Sequence, residues 1–121
     1  MPRIRNLVPV LLVRDLDSSI RFYVDVLGFH KQWRQSTPDA GENCLLNHGT
    51  VDLLLSTGPH LGSTPQFTGT FYLSMFDVDE FYEQIRDRAD VVWPLQTMPM
   101  GQREFGIRDP DGYVLAFAEI V

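Results

Sequence analysis

With 121 residues, the chain can hold one domain, or two very small modules that share a sheet. Its 44% hydrophobic and 21% charged content is that of an ordinary soluble globular protein and excludes a disordered chain. A formal charge of −6, with Arg and Lys scattered singly, leaves no basic stripe for a nucleic-acid backbone and disfavours binding to an anionic membrane surface.

No apolar run approaches the roughly 20 residues of a membrane span, and the N-terminus lacks the apolar core of a signal peptide. Cys44 is the only cysteine, so no intrachain disulfide forms and a reducing, cytoplasmic compartment is expected. It sits among apolar neighbours in CLLNHG with no cysteine-hydrolase motif, the pattern of a buried, inert thiol.

Residues 8–13 form a short apolar, β-branched run with the length of a buried strand. After a charged turn at Arg14 and Asp15, Leu16, Ile20, Tyr23, Val24 and Leu27 recur at steps of three and four and mark one stripe of a helix. Asp15 or Asp17 can cap its first amides, and Gly28 supplies the left-handed residue that ends it. HKQWRQS then reads as a strand, the polar TPDAGEN as a loop, and residues 44–47 and 51–56 as two strands joined at His48 and Gly49. The first half is therefore β-α-β-β-β.

GPHLGSTPQFTG, residues 58–69, has the composition of a linker. The pattern then starts again. Residues 71–76 read as a strand, and Asp77 and Glu80 stand at capping-box spacing before a stripe of Val78, Phe81, Tyr82, Ile85 and Ala89. Residues 91–95, 103–108 and 114–120 read as strands, with a loop at 96–101 and a tight Asp-Pro-Asp-Gly turn at 109–112. Asp15 and Asp17 fall on Asp77 and Asp79 at a constant shift of 62 residues, an internal duplication of the β-α-β-β-β unit.

DLDSSIRFYVDVLGF near the start, REFGIRDPDGYVLAFAE near the end, and the two-module order resemble the vicinal-oxygen-chelate superfamily, which groups glyoxalases, bleomycin-resistance proteins and extradiol dioxygenases. The resemblance implies an α+β fold of two tandem βαβββ modules with curved mixed sheets and outer helices, at about 5–58 and 69–121 with a linker at 59–68. It also implies a concave site enclosed by the modules, and a homodimer.

In metal-dependent members, His or Glu ligands project from the first and fourth strands of each module. Carried over by the DLD and DPDGY anchors, those positions are Val8, Leu54, Thr70 and Ala116, related in pairs by the same shift of 62. One hydroxyl among three aliphatic side chains does not make a metal site, so no metal or other cofactor is expected. Moving the fourth strand by two residues brings Asp52 onto that face, still a single carboxylate. His30, His48 and His60 form no paired arrangement and are expected in turns or at the surface.

Strand alternation gives one strongly apolar set, with Leu53, Leu55, Leu115 and Phe117, suited to packing under helices. The opposite set, with Val10, Leu54, Thr70, Tyr72 and Ala116, is apolar with a few hydroxyls, as in a small-molecule site. Trp33, Phe67, Trp93, Phe105, Met98 and Met100 are candidates for its mouth, and Arg103 and Glu104 for a polar substituent. The resemblance is closest to the bleomycin-resistance branch, whose members sequester a toxic compound unaltered. The expected ligand-binding residues are Trp33, Leu54, Phe67, Thr70, Tyr72, Trp93, Met100 and Arg103, for an apolar or aromatic, antibiotic-like and cationic compound. The alternatives are a superfamily enzyme, using a non-standard metal site or Tyr72, Asp52 or Glu104 as a metal-free acid-base group, and an interaction domain with a vestigial pocket.

Overall fold

The computed structural model describes residues 3, 5–38, 41–58, 64–66 and 69–119. The chain divides into two compact units, Met1–Pro65 and Gln66–Val121. In the first, β1 (Val10–Leu12) leads into α1 (Leu16–Arg21), which runs on as a π-helical turn (Phe22–Val26) before β2 (His30–Thr37), β3 (Gly41–His48) and β4 (Val51–Ser56). In the second, β5 (Phe71–Ser74) and α2 (Val78–Ile85) precede β6 (Asp90–Thr97), β7 (Arg103–Arg108) and β8 (Val114–Glu119). The sheets have equivalent orders, β1-β4-β3-β2 and β5-β8-β7-β6. The outer strand β1 runs parallel to β4, as β5 does to β8, and the remaining pairs are antiparallel. This is the α+β fold of two tandem βαβββ modules that the sequence predicts.

The internal repeat holds at the level of single residues. Val10 pairs with Leu54, and Tyr72 with Ala116, each residue matching its counterpart at the shift of 62. Alternation sends Leu53, Leu55, Leu115 and Phe117 into the core beneath the helices, all 7% exposed or less. Cys44 joins them at 0% exposure, and burial pushes its thiol pKa up, so the reactive thiolate is disfavoured. Phe105, a candidate for the mouth of a site, lies in the core instead, because its pairing with Phe117 puts it on the helix side of β7. Its ring packs against Tyr82 at 4.9 Å and Phe117 at 5.3 Å, contacts each worth about 0.5–1.5 kcal/mol beyond area burial.

The helices differ in detail from the sequence pattern. Asp15, one of the two candidates, is the cap of α1: its Oδ1 accepts from the Asp17 amide at 3.2 Å and its Oδ2 from Ser18 Oγ at 2.7 Å. The buried stripe runs Leu16, Ser19, Tyr23, Leu27, with Ile20 and Val24 half-buried, because the Leu27 amide reaches back five residues to Phe22 O and widens the last turn. Gly28 then takes φ +80°.

The capping box at the second helix does not form. Asp77 adopts φ 60° and makes no side-chain bond to the helix start; Glu119 at the end of β8 accepts from the Val78 amide instead, at 3.1 Å. A strand from the same sheet therefore supplies the oxygen that the local sequence advertises. Glu119→Ala is expected to destabilise the protein by about 1 kcal/mol in denaturant unfolding. Asp77→Gly, which removes no cap and relieves a left-handed backbone, should change stability by less than about 0.5 kcal/mol.

Candidate functional site

Among the described residues one helix packs on each sheet, so the opposite face of each sheet is free of its module's helix. Cross-strand pairing defines one row of side chains across that face. In the first module it runs Val10, Leu54, Leu45, Trp33 over β1, β4, β3 and β2. In the second it runs Tyr72, Ala116, Gly106, Trp93 over β5, β8, β7 and β6. The two tryptophans of the chain occupy equivalent positions. In both modules the register shifts just before the tryptophan, between Lys31 and Trp33 and between Val91 and Trp93, so a bulge re-aims the ring at the same place.

Bulky aliphatic side chains fill the first row, whereas the second is hollow at its centre. Ala116 and Gly106 give it almost no side-chain volume, and the Trp93 indole lies over the vacated position. A Cβ built on Gly106 would meet three atoms of that ring at 2.6 Å, closer than any real contact. Gly106 is thus required by the close approach of an indole and not by a turn.

Beneath the two aromatic ends of this row lies Glu104, only 1% exposed. Its Oε2 accepts from Tyr72 Oη and from Trp93 Nε1, each at 3.1 Å, and its Oε1 accepts from Gln102 Nε2. Three donors from three segments converge on one carboxylate, which is how a buried acid is held without an arginine or lysine partner. Burial, then the bond to Glu104, then its charge hold the Tyr72 phenol above its usual pKa. The corresponding position in the first module is Asn43, since Asn43 pairs with Ser56 as Glu104 pairs with Ala118.

The remaining predicted residues disperse. Trp33 is 39% exposed and shares its row with Leu54. Thr70 is exposed, just ahead of β5. Met100 is 95% exposed at the tip of the β6–β7 hairpin, next to Gly101 at φ +99°. Phe67 and His60 lie outside the described residues. Arg103 is on the helix side of β7, bound through Nε to both carboxylate oxygens of Asp79 at 2.9 and 3.2 Å and through a terminal nitrogen to Thr97 Oγ1, so its alternation neighbour Glu104 is the residue on the helix-free face. Sequence reasoning passed over Gly106 and Gln102. A glycine inside an apolar strand was a visible signal for Gly106; Gln102, in a hairpin loop, gave none.

The four positions inherited from metal-dependent relatives do not fit a metal. Val8, Leu54 and Ala116 carry no donor, and among the described residues no three His, Cys, Asp or Glu side chains come together. Asp52 does stand on the helix-free face, with its Oδ1 accepting from Asn47 Nδ2 at 3.0 Å, but among the described residues it joins no cluster of three possible ligands.

Gly106→Ala is expected to cost about 1–3 kcal/mol and to shift Trp93 emission, and combining it with Trp93→Ala should recover most of that loss in a double-mutant cycle. Ionisation of Tyr72 removes the proton it donates and sets phenolate beside carboxylate. The stability gained from the neutral phenol is therefore intact below the ordinary value of 10.0 and lost as pH rises through the raised one. In ultraviolet titration, the wild-type minus Tyr72→Phe difference should show this late phenol; Glu104→Gln should lower its midpoint only part of the way, because burial is the largest cause.

Solved structures of other proteins share the fold. The solved structure of TioX from Micromonospora sp. ML1 is 26% identical with TM-score 0.78, over 97% of this chain and 99% of that one. The bleomycin-binding protein from bleomycin-producing Streptomyces verticillus, complexed with copper(II)-bleomycin, is 25% identical with TM-score 0.69, over 97% of both chains. TnmS3, an antibiotic-binding protein from Streptomyces sp. CB03234, shares the fold at 22% identity and TM-score 0.78, over 100% of this chain and 99% of that one. Among curated proteins there is no match. The sequence profile of the glyoxalase/bleomycin resistance protein/dioxygenase superfamily matches residues 5–117, nearly the whole chain, and the protein belongs to that superfamily.

Proposed function

We propose that the protein binds and sequesters an apolar or aromatic small molecule in a metal-free site on the helix-free faces of its sheets. In this proposal Trp33 and Leu54 serve on the first module's face, and Tyr72 and Trp93 on the second's, with Thr70 just ahead of β5 and Met100 at the tip of the β6–β7 hairpin. The protein acts as a cytoplasmic homodimer and protects against an antibiotic-like compound. The observation that carries this is the repeated row: both modules end it on a tryptophan aimed by a bulge at the same position. The bleomycin-binding relative, similar over almost its whole length, supports the same class of ligand.

Trp33 is 39% exposed and Trp93 half-buried before any ligand binds, so a ligand can cover only part of the roughly 150–250 Å² of an indole, on the order of 2 kcal/mol per ring at about 25 cal/mol per Å² before ordering costs. An enzyme of the superfamily is the second reading, favoured by the buried Glu104 carboxylate 3.1 Å from the Tyr72 hydroxyl. Against it, the same carboxylate already accepts from Trp93 and Gln102, an arrangement that holds a proton in place better than it moves one.

The test is tryptophan fluorescence and calorimetry with metal-free bleomycin, copper(II)-bleomycin and a panel of flat aromatic antibiotics, on protein whose metal content and sedimentation mass are measured first. Expected are a mass of two chains, well under one metal per chain, and saturable binding that weakens about tenfold or more in Trp33→Ala and Tyr72→Ala while unfolding stays cooperative. Unchanged affinity in both variants removes these residues from the site, and stoichiometric metal redirects the search to superfamily enzyme chemistry.

A further inference from the structure

The hydrogen-bonding capacity of the second row is set by where its protons go. A phenol has one proton and an indole N–H has one. Tyr72 and Trp93 both give theirs to Oε2 of the buried Glu104, so neither proton is left for a ligand. Tyr72 is 57% exposed, and what it can offer outward is its ring and the lone pairs of its oxygen; Trp93 can offer only its π face. Gln102 likewise turns an N–H to Glu104 Oε1 and keeps its amide oxygen as an acceptor. Ala116 and Gly106, between the aromatic ends, bring no polar side chain. Within this row no side-chain donor is left over, while the donors of Ser74, Gln96 and the second Gln102 N–H lie outside it, so the row accepts hydrogen bonds and its aromatic surfaces attract cations. The first row, Val10, Leu54, Leu45 and Trp33, has no comparable inversion.

Given the small-molecule binding proposed above, on which this rests, we propose that Glu104 is a positioning and specificity-determining residue. By taking up the Tyr72 O–H and Trp93 N–H, it makes this row of the second module's helix-free face select a flat aromatic ligand bearing an N–H donor or a positive charge. Glu104 acts through Tyr72 and Trp93 and does not itself touch the ligand.

The test is calorimetric titration of the full chain with two probes of one ring system: proflavine, a cation with amino donors, and acridine-9-carboxylate, an anion with acceptors only. The wild type should bind proflavine at least about tenfold more tightly. Glu104→Leu frees both protons, and should shrink that ratio about tenfold, in part through tighter binding of the anion, a gain that a merely loosened fold does not produce. Glu104→Gln, which keeps an acceptor oxygen, should fall between. If Glu104→Leu does not fold, Tyr72→Phe serves: loss of the phenolic oxygen should weaken proflavine selectively and leave the anion unchanged. Equal affinities in the wild type, a preference for the anion, or a ratio unchanged in the folded variants overturns the role of Glu104 and leaves the binding function standing. Binding of neither probe overturns both.

Discussion

Each four-stranded sheet in this protein is served by one helix, and one helix can cover only one face. Most of what distinguishes the molecule follows from that limit. On the helix side, alternation delivers Leu53, Leu55, Leu115 and Phe117 to the core, and ring contacts around Phe105 fill the second module. The other face must be built from residues that tolerate incomplete burial. Aromatic side chains with a polar handle and small residues meet that demand, and these are what the second row contains. The outermost strand β2 is exposed along its whole length, and there Lys31 and Arg34 discourage edge-to-edge pairing.

Duplication has preserved geometry and let chemistry drift. The second residue of the helix after each cap position, Asp17 or Asp79, is tied to the sheet by an arginine in both modules. In the first it is Arg34 from β2, at 2.6 Å and also bound to Glu42; in the second it is Arg103 from β7. These pairs are largely solvent-exposed and each contributes little, so their recurrence reflects a shared helix position more than a shared need for stability. At the equivalent row positions the drift is larger: Val10 against Tyr72, Leu45 against Gly106, and Asn43 against Glu104.

The order of the elements and the register of β1 with β4 and of β5 with β8 were legible in the sequence because they rest on periodicity, and the duplication provided two independent readings of one pattern. The shift that paired Val8 with Thr70 is the shift that relates Val10 and Leu54 to Tyr72 and Ala116. What could not be read involved a partner far along the chain. Asp77 and Glu80 have capping-box spacing, yet the cap comes from Glu119, 41 residues away from Val78. Arg103 and Glu104 both looked available to a ligand, and only the pairing register assigns one to each face. Trp93 was singled out by size, but its seat on Gly106 depends on a bulge, which local propensity does not announce.

The combination of glycine, bulge and buried carboxylate is costly in isolation. A strand-interior glycine is about 0.5–1 kcal/mol worse than alanine, and a carboxylate taken out of water needs every one of its bonds. Here the two costs offset each other. Removing the Cβ at residue 106 lets the indole lie flat, which brings its N–H to Glu104, which in turn fixes the Tyr72 phenol. The aromatic corner is thereby held in one arrangement by folding itself, and a ligand that meets it has little side-chain entropy left to remove. The first row, held mainly by aliphatic packing, has no such lock.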